Sequence, residues 1–208
     1  MSIDTVSSNL KQEIDMTKKI FIWVANPKAG SLSSGLAEAY AKGAKTKGAD
    51  VRIMQLSEMD FVAEFEGYTG RKKLAPDLIK WQEAVTWCDH VMIVYPYWWG
   101  GMPTKAKAVL DMALVPGFGF KYHDSGLKWD KLLTGRTGDA IITSDTPVWL
   151  DTLLYRKPGR RVIRNQVLDF VGIKPKKIVQ FGSVVAADAR KIGSWLGKAE
   201  GMGAQAAA

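Results

Sequence analysis

One cysteine, two histidines and no long apolar run set the first limits on this chain of 208 residues. The lone Cys88 excludes an intrachain disulfide framework and a cysteine-rich metal site. In its apolar surroundings it reads as a small buried hydrophobe. His90 and His123 are too few for a histidine-rich metal centre, and no metal site is expected. No apolar run reaches the roughly 18 to 20 residues needed to span a bilayer, so membrane insertion is not expected. Met1 to Thr17 is polar and lacks the apolar heart of a signal peptide, which makes the cytoplasm the default location. Neither a Walker A loop nor a G-x-G-x-x-G turn occurs. No nucleic-acid-binding motif is present either, and no nucleic-acid partner is expected.

What is present suits one large α/β domain. Apolar residues make up 47% of the chain, enough for a full core. The formal net charge is +8. Basic residues crowd Arg156, Lys157, Arg160, Arg161 and Arg164, then Lys174, Lys176 and Lys177. They read as a solvated basic face, with attraction of an anionic cofactor or partner as the alternative. Several of the eight tryptophans cluster locally, which a core alone would not require.

Hydrophobic patterning predicts strands at Ile20 to Ala25, Val51 to Leu56, Val91 to Tyr95, Asp139 to Thr143 and Lys177 to Phe181, short apolar runs bounded by turn residues. Helical spacing separates them. Leu32 to Lys47 follows the candidate N-cap Ser31 and stops at Gly48. Asp77 to Trp87 follows Pro76, and another helix runs from Pro103 to about Met112. Tyr155 to Phe170 is mostly helical with an interruption at Pro158-Gly159, and Asp188 to Leu196 closes the domain. Pro116 to Lys131 reads as loop. Strands alternating with helices imply a parallel sheet with helices on both faces, a three-layer α/β sandwich. The domain spans 18–200, between a flexible N-terminal extension (1–17) and a flexible small-residue tail (201–208).

In such sheets ligands bind at the carboxyl ends of the strands. The first strand is followed by Asn26-Pro27-Lys28-Ala29-Gly30-Ser31-Leu32-Ser33-Ser34. Hydroxyls, a lysine and unpaired backbone N–H groups meet there at a helix N-terminus, which favours an anion such as phosphate. An ordinary serine N-cap is the plainer reading. The third strand is followed by Tyr95-Pro96-Tyr97-Trp98-Trp99-Gly100-Gly101-Met102-Pro103. Aromatics beside close-approaching glycine backbone suit a flat conjugated ligand better than a core. The fourth strand ends in Thr143-Ser144-Asp145-Thr146-Pro147. Its hydroxyls and backbone suit the polar edge of such a ligand, and an Asx turn at Asp145 is the alternative.

These loops together resemble the NAD(P)H:quinone oxidoreductase family, the DT-diaphorase-like branch of the flavodoxin-like proteins. The resemblance runs from about Lys19 to Leu196. It is carried by Tyr95-Pro-Tyr-Trp-Trp-Gly-Gly-Met-Pro103, by Lys107 and Asp111, by Pro116-Gly-Phe-Gly-Phe-Lys-Tyr122 and by Leu74-Ala-Pro-Asp-Leu78. It implies a noncovalent flavin, FMN or FAD, with NAD(P)H as donor, a quinone-like acceptor and a homodimer. Asn26, Ser31, Leu32 and Ser33 would hold the flavin phosphate. Pro96, Tyr97, Trp98, Trp99 and Gly100 would lie along the isoalloxazine, and Thr143, Ser144 and Asp145 would meet its pyrimidine edge. Phe120 and Tyr122 would wall the nicotinamide and quinone pocket, reaching the partner subunit's flavin.

The chain departs from the pattern in three places. Asn26 stands where the family often has histidine. The fourth-strand loop lacks a Gly-Gly. The following region offers Asp151, Tyr155, Arg156 and Lys157 but no histidine, so stabilising a reduced flavin would fall to the backbone around Thr143 to Asp145, with Arg156 or Lys157 as helpers and plain surface charges as the alternative. The expected activity is two-electron reduction of quinones by ping-pong hydride transfer. The alternative is a flavin-bearing regulatory or electron-carrier module, as in relatives attached to potassium-efflux systems.

Overall fold

A computed structural model describes residues 17–68, 73–124 and 127–208. All of the extension expected over 1–17 except Thr17 lies outside these residues. The five predicted strands form one parallel sheet: β1 (Lys19–Val24), β2 (Asp50–Gln55), β3 (His90–Pro96), β6 (Thr137–Thr143) and β7 (Lys174–Phe181), in the order β2-β1-β3-β6-β7. Alternation along β1 shows why the runs are apolar on both faces. Ile20, Ile22 and Val24 pack on one side, against α1 (Leu32–Lys45) and α6 (Ala189–Ala207). Phe21, Trp23 and Ala25 pack on the other, against α2 (Pro76–Trp87), α3 (Thr104–Ala113) and the helix over 158–171, here α5. The short α4 (Val148–Leu153) precedes α5. This is the flavodoxin-like three-layer sandwich.

Three sequence expectations change. The Gly- and Ala-rich segment 201–208 is not a flexible tail, since α6 continues to Ala207 with Met202 and Gly203 buried. Small residues there serve helix contact. A Cβ at Gly203 would collide with the Tyr40 carbonyl of α1, and one at Gly43 with the Glu200 carbonyl of α6. The region expected as loop, Pro116 to Lys131, contains an antiparallel pair, β4 (Phe120–Tyr122) and β5 (Trp129–Lys131). Phe120 is buried there, edge-on to Phe170 at 5.0 Å, and Phe118 packs partly buried against the same core. Of Phe118, Phe120 and Tyr122, only Tyr122 is exposed. Finally, Pro158 opens α5 instead of interrupting a helix begun at Tyr155, because its missing N–H costs nothing in a first turn. Residues Val162–Leu168 of α5 are wound as π-helix.

The amino ends of the central strands enclose a polar network. Tyr40 donates to Asp139 at 2.9 Å and meets His90 Nε2 at 2.9 Å, and His90 Nδ1 meets Thr137 Oγ1 at 2.7 Å. Burial pushes the His90 pKa down to about 3, helped by the charges of Lys18, Lys176 and Lys177. The unfolded chain thus binds a proton that the fold refuses. Stability contributed by neutral His90 is complete above about pH 6.5 and drains away towards pH 3. Asp139, raised by its own burial, acts with the opposite sign, its contribution being lost as pH rises. Urea midpoints measured between pH 7 and pH 4 should therefore fall more steeply for the wild type than for His90→Gln; equal slopes would contradict the assignment.

Candidate active site

Three loops meet at the carboxyl edge of the adjacent strands β1, β3 and β6. In the first, Asn26 is buried; its Nδ2 donates to Ser33 Oγ at 3.2 Å and its Oδ1 accepts from the Lys28 N–H at 3.0 Å. This side chain sets the bend that leads through Gly30 (φ 61°) into α1. Ser31 caps α1, its Oγ accepting from the Ser34 N–H at 3.4 Å. The next N–H groups, of Leu32 and Ser33, belong to a first turn that has no intrahelical partner for them. No acidic residue lies in that turn. Amide dipoles without an opposing carboxylate form a cradle for phosphate.

The second loop turns back on itself. Trp98 and Gly101 exchange backbone hydrogen bonds of 2.8 and 2.9 Å, and Trp99 and Gly100 between them have φ of 48° and 80°. Both values are positive, as in a type I′ turn, where a tryptophan is strained and a glycine is not. Trp99 is fully exposed at the tip and Trp98 about half exposed. The loop is pinned at its base, where the Tyr97 N–H donates to the Thr143 carbonyl at 2.7 Å. That bond joins the second loop to the third.

In the third loop Thr143 and Ser144 are buried. Ser144 Oγ donates to the Thr146 carbonyl at 2.9 Å and accepts from Gln180 Nε2 at 2.9 Å. Asp145 makes no Asx turn; its Oδ1 accepts from the Val185 N–H at 3.0 Å, tying the loop to the segment after β7.

Tyr155, Arg156 and Lys157 form an exposed bend between α4 and α5, with Arg156 and Lys157 both left-handed (φ 58° and 59°). The cation turned inward is a different one. Arg160 Nη2 donates to buried Asp151 Oδ2 at 2.9 Å and to Thr152 Oγ1 at 2.7 Å. Beside it the Gly159 N–H donates to Tyr97 Oη at 3.0 Å, and the Tyr97 ring covers Gly159 so closely that no Cβ would fit. Burial raises the Tyr97 pKa, so the phenol stays protonated near neutral pH. Sequence reasoning missed this cluster. Its one trace was charge, since Asp151 is the only acid between Trp149 and Arg164.

Phe120 and Tyr122 are not brought to the three loops within one chain. Their hairpin packs against Phe170 at the far end of α5, where the chain enters β7 at its amino end.

A sequence model of the flavodoxin-like fold family matches residues 18–196. A ribosyldihydronicotinamide dehydrogenase-like protein of Penicillium crustosum is 26% identical over 65% of this chain and 57% of its own length. An FMN-dependent NADH:quinone oxidoreductase of Ruegeria pomeroyi is 28% identical over 64% of this chain and 72% of its own length. The chain thus covers less than two thirds of the first relative. The solved structure of an NAD(P)H:quinone oxidoreductase from Methanothermobacter marburgensis superposes with a TM-score of 0.76 at 21% identity, over 90% of this chain and 98% of that one.

Proposed function

We propose, from the premise that this chain belongs to the flavodoxin-like fold family, that it is a flavin-dependent NAD(P)H oxidoreductase acting on quinone-type acceptors. The observation that carries the proposal is the convergence of three ligand-type loops on one strand edge, with two exposed tryptophans on the middle one. The FMN and quinone in the Ruegeria relative's name support FMN and a quinone.

The residues present fit such a cofactor. Asn26, Ser31, Leu32 and Ser33 hold its phosphate through the α1 cradle. Pro96, Tyr97, Trp98, Trp99 and Gly100 border the ring, and Thr143, Ser144 and Asp145 offer backbone groups to its polar edge. When bound, flavin supplies the redox chemistry, taking hydride from NAD(P)H and passing two electrons to the acceptor. The chain's part is to hold the ring, exclude water and place positive charge nearby. Arg156 and Lys157 on the exposed bend supply that charge, with Tyr155 beside them. Of the pair Phe120 and Tyr122, exposed Tyr122 acts across a two-fold interface in a homodimer, and buried Phe120 supports it edge-on. Exposed Trp149, Leu153, Leu154 and Val185 give such an interface apolar surface, and light scattering reads it directly. No helix among the described residues is long and apolar enough to cross a membrane. A cytoplasmic location completes the proposal, because that is where NAD(P)H is supplied.

The purified protein takes up FMN in titration, and Trp98→Ala and Trp99→Ala each weaken uptake about fivefold while the fold persists. Loss of one flat aromatic contact accounts for about 1 kcal/mol. Uptake unaffected by both substitutions would place the tryptophans outside the site.

Steady-state kinetics test the activity itself. With one shared pocket, double-reciprocal plots against NADH at several quinone concentrations are parallel. The double variant Arg156→Met/Lys157→Met slows flavin reduction by about fivefold, within the 0.2–1 kcal/mol range of exposed charges. Intersecting plots would overturn the shared pocket, and an unchanged rate would return both cations to the solvated basic face.

A further inference from the structure

We propose that a second pocket, beneath the Trp98–Gly101 turn, binds a single-ring phenol through the hydroxyl of Tyr95. A cavity of about 180 Å³ lies between this turn, α3 and the π-wound part of α5, lined by Tyr95, Gly101, Met102, Leu110, Val162 and Val167. Tyr95 is 2% exposed, and among the described residues its hydroxyl makes no hydrogen bond. The other tyrosines at buried or partly buried positions are served: Tyr40 by Asp139 and His90, and Tyr97 by the Gly159 N–H. Tyr95 lines the cavity, so its hydroxyl is free to donate to a ligand oxygen there, a bond worth about 0.5–1.5 kcal/mol net. Burial raises the Tyr95 pKa, so the group is present as a donor at any physiological pH.

The walls decide what fits. Water needs two to four polar partners, and here the lining is apolar apart from Tyr95, backbone and Lys107. The Lys107 ammonium is paired with Asp111 at 2.5 Å. The volume slightly exceeds the roughly 150 Å³ of a dry apolar cavity known to accept benzene. One ring with a small substituent fits, whereas a flavin or a nicotinamide dinucleotide does not. A phenol matches both features, since its ring fills the apolar walls and its oxygen accepts from Tyr95 Oη–H. The pocket shares Gly100 with the flavin cradle and borders it at Gly159, which holds Tyr97, and phenol binding is read separately from FMN uptake.

The test uses p-cresol and toluene, rings of similar size that differ by the hydroxyl, in ligand-observed NMR titrations. Wild-type protein shows saturable binding of both. Tyr95→Phe weakens p-cresol about fivefold and leaves toluene unchanged, and Val167→Phe, which fills the cavity, removes both. FMN uptake, measured on the same samples, is unaltered by either substitution. No saturable binding to the wild type, or equal losses for both rings in Tyr95→Phe, would overturn the pocket. Should Val167→Phe fail to fold, the near-isosteric Tyr95→Phe still decides.

Discussion

Asp151→Ala lowers the stability of the fold by about 3 kcal/mol, the low end of the cost of breaking a buried ion pair. The Asp151 side chain is 1% exposed and that of Arg160 is 17% exposed. One carboxylate oxygen accepts from Arg160 Nη2; among the described residues the other, Asp151 Oδ1, has no partner, and neither has Arg160 Nε. The pair is therefore held by one ion-pair contact and the Thr152 hydroxyl, with little to spare when either member goes. Removing the carboxylate strands a guanidinium in low dielectric. Replacing both, as Asp151→Leu/Arg160→Met, removes the stranded charge and recovers most of the loss, because two apolar side chains of similar volume need no partner. Function follows the same geometry. The Asp151 carbonyl accepts from the Lys157 N–H at 3.0 Å, and Gly159 holds Tyr97 one residue before Arg160. At temperatures where Asp151→Ala is still folded, its FMN affinity falls, whereas Trp99→Ala loses affinity with no loss of stability. Urea unfolding with FMN titration separates the two. An Asp151→Ala midpoint equal to wild type would show that the pair contributes nothing.

The parts of this molecule that were legible in the sequence are those whose signal is local. The inner strands β1, β3 and β6 are short apolar runs with both faces buried, so Ile20 to Ala25 or Val91 to Tyr95 announce themselves without any knowledge of neighbours. Their carboxyl-end loops are legible for the same reason, because Trp98-Trp99-Gly100-Gly101 is improbable as core. The parts that were not legible depend on contacts between distant segments. Nothing near Asp151 shows that Arg160, rather than Arg156 or Lys157, turns inward. That choice is made by the left-handed bend at Arg156 and Lys157 and by the fit of Gly159 under Tyr97. Phe120 looks like a loop aromatic until Phe170, fifty residues later in the chain, is placed against it. The Gly- and Ala-rich end has the composition of a tail, yet it docks because that composition allows two backbones to touch.

Glycines within this one helix should therefore respond to substitution with opposite signs. In α6 a Cβ at Gly193, Gly197 or Gly201 meets nothing within 4 Å. Alanine there should stabilise the helix by up to about 1 kcal/mol, the ordinary cost of glycine in a helix interior. A Cβ at Gly203 would enter the Tyr40 carbonyl, and one at Gly43 would enter the Glu200 carbonyl from the other side. The obstacle is backbone in both cases, so no rotamer change relieves it and the helices must separate. Separation loosens the packing of Leu36, Tyr40 and Ala44 in α1 with Trp195, Ala199 and Met202 in α6. Gly203→Ala and Gly43→Ala should each cost about 3 kcal/mol, the upper part of the range for overpacked cores. The Tyr40 hydroxyl at this seam also anchors His90 and Asp139, so the disturbance reaches the central strands. Urea midpoints for Gly197→Ala and Gly203→Ala, measured side by side, should move in opposite directions from wild type. If 201–208 were a loose tail, Gly203→Ala would leave the midpoint where it is, and the docked α6 would have to be given up.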